Sequence, residues 1–272
     1  MNRIDRCFEQ LKQDRRAALI PYLTAGDPSA GDTLKLLHAL VEAGADIIEL
    51  GVPFSDPMAD GPTIQLACER ALAGGMSLQG ALDIVREFRQ SNQHTPLVLM
   101  GYLNPVEAMG AQAFVEQARA AGVDGVLSVD LAVEEADSLA PALREAGLAP
   151  VFLVAPTTHD QRVRKMGEEG QGYLYYVSLK GVTGSAQLDV EHVTTRVDQL
   201  KQLTGLPIAV GFGIRSPENA RAVAKVADAV IVGSALVDII AANQDDRDKL
   251  CQDVAQAAAA LAEAVHSARE GA

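Results

Sequence analysis

Eight short apolar runs recur along the chain, and the stretches between them have the apolar spacing of helices. The runs lie at residues 18–23, 47–50, 97–100, 125–129, 151–154, 173–177, 208–210 and 229–232. Because nearly every position in a run is apolar, each run predicts a strand buried on both faces, as in parallel sheets covered by helices. The alternation of strand and helix therefore predicts an α/β fold.

The predicted helix boundaries fall between the apolar runs. Gly44, Gly122 and Gly147 each follow a helix pattern and precede a strand, so we expect them in the left-handed conformation that ends helices. Helix starts are predicted at Asp27-Pro28 and Ser216-Pro217, where a capping oxygen precedes a proline suited to the first turn.

Eight strand-helix units within 272 residues favour one closed architecture. A single parallel (β/α)8 TIM barrel typically needs about 250 residues, so it is favoured over an open doubly wound sheet. The first 16 residues predict an extra N-terminal amphipathic helix, with Ile4, Cys7, Phe8 and Leu11 on one face. No Gly/Ser linker or charge block interrupts the pattern, so residues 1–272 are predicted to form one domain.

Charge and cysteine usage exclude several functions. A net charge of −13 argues against nucleic acid and anionic membranes as partners. No apolar stretch is long enough to cross a bilayer, and the N-terminus does not resemble a signal peptide. Cys7, Cys68 and Cys251 show no paired spacing and no metal-ligand pattern, which indicates buried thiols in a reducing, cytoplasmic protein without a metal.

Two carboxylates mark the candidate chemistry. In α/β barrels the site lies where strands end and the following loops begin. Glu49 lies inside an apolar strand, where an ionised carboxylate needs a partner, a raised pKa or a chemical task, and Asp60 follows in a Pro/Gly-rich loop. The two could divide acid and base work, with burial raising the pKa of Glu49 more. Alternatively, Glu49 caps a loop or pairs with an arginine, and Asp60 only forms an Asp-Gly turn.

Glycine-rich loops follow the last three strands. Residues 211–213 and 233–234 come after strands seven and eight, the order expected of the barrel phosphate site, although glycines also close ordinary turns. The loop at 181–184 could hold the same phosphate or serve as a mobile lid. Tyr175, in strand six, is expected in the core unless another signal supports a catalytic role.

Five longer motifs carry a family resemblance. They are PYLTAGDP at 21–28, ELGVPFSDPMADGP at 49–62, FLVAPTT at 152–158, KGVTG at 180–184 and VGFGIRSPENA at 210–220. With them the chain resembles the tryptophan synthase alpha chain family over nearly its whole length. The resemblance implies a lyase of tryptophan biosynthesis that cleaves indole-3-glycerol phosphate to indole and glyceraldehyde 3-phosphate by a retro-aldol reaction.

The resemblance also implies the role of each site residue. Glu49 would act first as acid and then as base, and Asp60 would stabilise the charge that develops at the ring nitrogen. The other substrate contacts would be Tyr22, Ile64, Met100, Leu127, Phe212 and Ile231 around the indole, Tyr175 as helper tyrosine, and Thr183, Gly184, Gly211, Gly213, Gly233 and Ser234 around the phosphate.

A partner chain is implied as well. By resemblance, this chain carries no cofactor and joins a pyridoxal-phosphate beta chain in an alpha2-beta2 heterotetramer that receives indole through a tunnel. The docking rim would include residues 53–60 and 104–105, and the loop 180–184 would close over the substrate. The chain departs from the usual family residues at Tyr22, Ala132 and Leu179-Lys180.

Two rival functions remain open. One is a lysine-dependent aldolase that forms an imine on Lys180, although this lysine lies in a loop. The other is a noncatalytic sensor of a phosphorylated metabolite that activates a partner, which leaves Glu49 and Asp60 unexplained.

Overall fold

Eight parallel strands close into a barrel in chain order, because the last strand pairs with the first. The computed structural model describes residues 2–178, 190–211 and 213–270, without the side chains of Val190 and His192. The strands are β1 Ala18–Thr24, β2 Ile48–Gly51, β3 Leu97–Gly101, β4 Gly125–Ser128, β5 Ala149–Val154, β6 Leu174–Val177, β7 Ile208–Gly211 and β8 Ala229–Val232. All eight apolar runs are strands, so the predicted α/β TIM barrel is confirmed.

Helices surround the barrel and account for the second half of the pattern. They are α1 Arg3–Gln13, α2 Ala30–Glu42, α3 Pro62–Ala73, α4 Leu78–Ser91, α5 Leu103–Met109, α6 Ala111–Ala121, α7 Leu139–Glu145, α8 Asp160–Glu169, α9 Val190–Thr204, α10 Pro217–Ala224, α11 Ser234–Ala242 and α12 Arg247–His266. Short 3-10 turns lie at Val133–Glu135 and Ser267–Arg269. The outward side chains of the strands pack with the helices into one apolar cluster.

The inward side chains of the strands form a separate cluster inside the barrel, and α1 closes its lower end. Ile4 of α1 is fully buried and lies against Gly125 and Gly172, where an added methyl group would be 3.0 and 3.1 Å from Ile4. Glycine at these two positions therefore lets the helix approach the strands closely. The predicted N-terminal helix is confirmed, and it serves as the floor of the barrel.

The buried carboxylate of Asp124 joins α1 and α4 to the barrel. Its oxygens accept hydrogen bonds from Arg3 at 2.8 Å and Arg89 at 2.7 Å, and from the Leu97 amide at 2.9 Å. Because two guanidinium groups and one amide surround it, the charge of this carboxylate is compensated inside the fold.

The helix-boundary predictions are mostly confirmed. Gly44, Gly122 and Gly147 have φ of 100°, 89° and 78°, the left-handed conformation expected at helix ends. Ser216 caps α10, but the predicted start at Asp27-Pro28 is wrong because Ser29 caps α2, which begins at Ala30.

Asp27 is instead held as an ion pair. Its buried carboxylate accepts two hydrogen bonds of 2.8 Å from the Arg70 guanidinium of α3. Asp27 therefore has a structural role as the partner of Arg70, and it does not cap a helix as predicted.

Candidate active site

Glu49 points into the barrel from β2, in register with Tyr22 of β1 and Val98 of β3. Its side chain is fully buried. The Tyr173 hydroxyl donates a hydrogen bond of 2.6 Å to Oε1, and Oε2 has no hydrogen-bond partner among the described residues. Burial raises the pKa of Glu49 from 4.5 to about 7, and the Tyr173 hydrogen bond opposes this rise. Among the described residues no arginine pairs with Glu49, so no nearby positive charge lowers the pKa of this carboxyl.

Tyr173 was not found by the sequence reasoning. It directly precedes β6, it is fully buried, and its ring lies 6.1 Å from the ring of Phe8 in α1. The available signal was the spacing of Tyr173 and Tyr175, because residues two apart in a strand face the same side. The floor helix thus supports the tyrosine that holds Glu49.

Asp60 ends the loop after β2, immediately before Gly61 and Pro62 begin α3. Its Oδ2 accepts a hydrogen bond of 2.7 Å from the Tyr102 hydroxyl, which itself accepts one of 3.0 Å from the Ala59 amide. Burial raises the pKa of Asp60, and the hydrogen bond from Tyr102 opposes that rise. Asp60 is therefore more than a turn residue, and Tyr102 is a second tyrosine that the sequence reasoning did not name.

The negative charges of Glu49 and Asp60 both affect the pKa values of Tyr22 and Tyr175. Burial is the main cause of the raised pKa of Tyr22 and of Tyr175, and the charges of Glu49 and Asp60 raise both values further. Tyr22 is the register partner of Glu49 on the neighbouring strand β1, and Tyr175 packs against the cluster inside the barrel. Glu49, Tyr22 and Tyr175 thus belong to the barrel interior, and Asp60 lies in the loop that follows the strand of Glu49.

Two glycines make room for these tyrosine rings. A methyl group added at Gly51 would lie 2.0 Å from the Tyr22 hydroxyl oxygen, and one added at Gly211 would lie 2.3 Å from that of Tyr175. Since such separations are far below van der Waals contact, any side chain there would displace the tyrosine. The glycine at 211, predicted for phosphate binding, therefore also has a packing role.

Apolar side chains form the wall of the same region. Tyr22, Ile64 and Met100 belong to one apolar cluster, and Met100 also packs against the barrel-interior cluster. That second cluster contains Leu127 and Ile231. The described members of the predicted indole set are therefore brought together, with Met100 joining the two clusters.

The predicted phosphate loops lie at the carboxyl ends of the neighbouring strands β7 and β8. Gly211 ends β7, Gly213 follows with φ of 74°, and Gly233 precedes α11, whose first residue is Ser234. The first turn of a helix offers backbone N–H groups that have no acceptor within the helix, so this end of α11 suits an anion. Thr183, Gly184 and Phe212, also predicted for substrate contact, lie outside the described residues, as does Lys180.

Metal-ligand groups and membrane-spanning helices were sought among the described residues. No group of three or more His, Cys, Asp or Glu side chains there could hold a metal ion. None of the described helices combines the length and the apolar character needed to cross a membrane. Cys7, Cys68 and Cys251 are free thiols.

The closed barrel, with a buried and a partly buried carboxyl at the carboxyl ends of its strands, has the arrangement of (β/α)8-barrel enzymes, whose active sites lie at that end. The family model for the tryptophan synthase alpha chain matches residues 8–266. The tryptophan synthase alpha chains of Marinobacter nauticus and Methylococcus capsulatus are 57% and 56% identical to this chain, over 270 and 265 residues. These matches cover 99% and 97% of this chain, and 97% and 99% of the two relatives.

Solved structures agree with the sequence matches. Tryptophan synthase subunit alpha from Legionella pneumophila superposes with a TM-score of 0.92 at 44% identity, covering 97% of this chain and 98% of that one. A chain of the tryptophan synthase a2b2 complex from Pyrococcus furiosus gives a TM-score of 0.83 at 42% identity, covering 90% and 98%. The chain belongs to the tryptophan synthase alpha chain family, and it is a lyase of tryptophan biosynthesis that cleaves indole-3-glycerol phosphate.

Proposed function

We propose that Glu49 carries the proton transfers of this cleavage. Carbon 3 of the indole must first gain a proton, and the carbinol oxygen must lose its proton as the bond between carbon 3 and the carbinol carbon breaks. The bonding electrons then return to the ring, and the carbinol becomes the aldehyde. One carboxyl can give the first proton and accept the second, so it ends in its starting state. The pKa of about 7 at Glu49 supports this double role, because both protonation states are populated near neutral pH.

Asp60 is proposed to stabilise the positive charge that appears at the ring nitrogen when carbon 3 is protonated. An ionised carboxylate can accept the N–H hydrogen bond, and the bond strengthens as the charge develops. The Tyr102 hydroxyl, 2.7 Å from Asp60 Oδ2, supports this role because it orients the carboxylate and favours its charged form.

The remaining predicted site residues are proposed to bind and orient the substrate. Tyr22, Ile64, Met100, Leu127, Phe212 and Ile231 would enclose the indole, Tyr175 would assist, and Thr183, Gly184, Gly211, Gly213, Gly233 and Ser234 would hold the phosphate. An anchored phosphate remote from the reacting bond supplies orientation, which can contribute several kcal/mol, on the order of 7–11 in the best cases.

A beta chain that binds pyridoxal phosphate is the proposed partner, in an alpha2-beta2 assembly that passes indole between chains in the cytoplasm. The a2b2 complex of the Pyrococcus furiosus relative supports this assembly. The rim 53–60 contains Met58, which is 84% exposed, and nearby Leu66 of α3 is 52% exposed. Grouped exposed apolar side chains are typical of docking surfaces, and Met58 and Leu66 are the large exposed apolar side chains of the described residues, so their place at and beside this rim supports docking there together with residues 104–105.

The whole chain is proposed to work as one unit with no cofactor of its own. The fully buried Ile4 and the contact of Phe8 with Tyr173 support a single unit, because they tie α1 to the site.

The loop 180–184 is proposed as the lid over the substrate. The rim 53–60 is tested by Asp56→Ala, which should weaken beta-chain affinity. Unchanged affinity and unchanged activation would argue against the loop 53–60 as the contact.

The catalytic proposal rests above all on the fully buried Glu49 with its single hydrogen bond from Tyr173. Purified chain is incubated with indole-3-glycerol phosphate, with and without a beta chain, and indole release is measured. We expect slow turnover alone, activation by the beta chain, and near-complete loss in Glu49→Gln. The same exchange at the exposed Glu135 should change nothing. Full activity in Glu49→Gln would overturn the assignment.

The lysine-dependent alternative is separated by borohydride reduction in the presence of substrate. The proposed mechanism has no imine, so no adduct should form. A substrate adduct trapped on Lys180 would replace the acid-base mechanism with the imine mechanism.

A further inference from the structure

The lower face of the barrel carries a cavity of about 620 Å3 that the cleavage reaction does not use. Its walls come from α1 and the turn before β1, the end of α9 and the loop to β7, the segment between α10 and β8, and the last 3-10 turn. These segments lie at the amino ends of β1, β7 and β8, whereas the candidate active site lies at the carboxyl ends. The volume falls within the range of small-molecule pockets, roughly 300–1,000 Å3.

Positive charge dominates this cavity. Six cationic side chains and one carboxylate line it, although the whole chain has a net charge of −13. The cationic side chains are Lys12, Arg15, Arg16, Lys201, Lys225 and Arg269. A local concentration of one charge sign around a concave surface raises the local concentration of ions of the opposite sign.

Most of this charge is not compensated within the described structure. Lys201 pairs with Asp228 at 3.0 Å, and Arg16 pairs with Asp46 at 2.9 Å. Arg269 donates to two backbone carbonyls, one of them Ala224 at 2.9 Å, and these carry no formal charge. Two of the six charges are thus paired with acids, and the others have no carboxylate partner among the described residues.

Lys12, Arg15 and Lys225 are exposed and make no ion pair with a described acid. Arg15 also has φ of 55°, and it is the only non-glycine residue with positive φ in the described part of the chain. Arg15 lies at position C′ of α1, where glycine is favoured because it adopts this conformation without strain. An arginine there strains the backbone and places a charged side chain at the rim of the cavity.

The cavity floor is apolar. Phe8, Leu206 and Pro207 are partly exposed, and Leu11 is buried beside them. The Phe8 ring is already supported from behind by the Tyr173 ring, 6.1 Å away, so the floor is a packed surface. A cationic rim above an apolar floor matches a ligand that has a flat apolar body and a multiply charged oxyanion.

From these observations we propose that the lower face binds an aryl or similarly apolar phosphate monoester, with Lys12, Arg15 and Lys225 on the phosphate and Phe8 and Leu206 on the ring. This site is separate from the active site and does not depend on the proposed catalytic roles. The two sites lie at opposite ends of the strands, at least about 13 Å apart for four residues.

Binding is located by amide chemical shifts of the full-length 15N-labelled chain, with phenyl phosphate as the probe. Saturable shifts are expected at the amides of Arg15, Gly205 and Lys225, separate from any shifts at Gly213 and Gly233. Phenyl phosphate should bind severalfold more tightly than inorganic phosphate at equal ionic strength, because only the former covers the apolar floor. Lower-face shifts no larger than those caused by NaCl at equal ionic strength would overturn the proposal.

Charge variants complete the test. Lys12→Gln/Lys225→Gln should weaken lower-face binding about tenfold, since each exposed charge pair contributes a few-fold. The control Lys35→Gln/Arg119→Gln removes two exposed charges elsewhere and should leave this affinity unchanged. Both variants should retain indole release. Equal weakening in the two variants, or none in the first, would contradict a built site on the lower face.

Discussion

Glu49→Gln should stabilise the protein at alkaline pH while abolishing its activity. A rise of the Glu49 pKa from 4.5 to about 7 means that ionising this buried carboxyl opposes folding. The corresponding free energy is about 3 kcal/mol. Between these two pH values the native protein keeps a proton that the unfolded chain has lost, so stability falls as pH rises through this window. Glutamine cannot ionise and does not incur this loss.

The expected magnitude follows from the same two pKa values. Relative to the parent protein, the free energy of unfolding of Glu49→Gln should rise by about 2–3 kcal/mol between pH 5 and pH 8. Most of that change should occur below pH 7, because above the native pKa both states are ionised. No discount for solvent screening applies, because Glu49 is fully buried.

Urea unfolding of both proteins at pH 5, 6, 7 and 8 measures this difference directly. Glu135→Gln serves as the matched control, because the same exchange at an exposed glutamate should give no pH-dependent difference. A stability difference between Glu49→Gln and the parent that stays constant with pH, or that shrinks as pH rises, would refute the raised pKa of Glu49.

Three further variants test the site and its supports. Tyr173→Phe removes a hydrogen bond that favours ionised Glu49, so the alkaline limb of the pH dependence of kcat/KM, where Glu49 loses the proton that it must donate first, should move upward by about one pH unit. Gly211→Ala places a methyl group against Tyr175 and should lower kcat/KM for indole release by about tenfold or more, since small misplacements are costly. Asp124→Asn leaves two buried or partly buried guanidinium groups without their carboxylate, and urea unfolding should show a loss of about 3–5 kcal/mol.

Matched controls separate these effects from general damage. Tyr176→Phe removes a buried hydroxyl that has no hydrogen-bond partner among the described residues, and it should leave the pH profile unchanged. Gly31→Ala adds a methyl group with nothing within 4 Å and should retain activity. Asp83→Asn breaks an exposed ion pair with Arg86 and should cost about 1 kcal/mol or less. A test variant that behaves like its control would contradict the corresponding prediction.

Much of the fold could be read locally. A strand covered on both faces needs apolar residues at nearly every position, so all eight strands were visible in short stretches of sequence. Helix ends were equally local, because the left-handed conformation at Gly44, Gly122 and Gly147 depends on the absence of a side chain. The helix start predicted at Asp27 was wrong because its carboxylate binds the guanidinium of Arg70, which is distant in sequence.

The candidate site could be predicted only in part. Glu49 stood out because a carboxylate in an apolar strand is costly wherever that strand is buried. Its partner Tyr173, 124 positions away in sequence, could not be read from local composition, since the contact depends on the register of a closed barrel. The pairing of Asp60 with Tyr102 has the same origin, across 42 positions.

By itself, therefore, the sequence determined the order of strands and helices, the costly carboxylate of Glu49 with its candidate partner Asp60, and the family to which the chain belongs. The tertiary structure decided which tyrosine holds each carboxylate, which glycines admit the tyrosine rings, and that segments from both ends of the chain form a cationic cavity beneath the barrel. The physical reason is that burial and backbone preference are properties of short segments. Hydrogen bonds and charge clusters between distant segments exist only once barrel closure has brought those segments together.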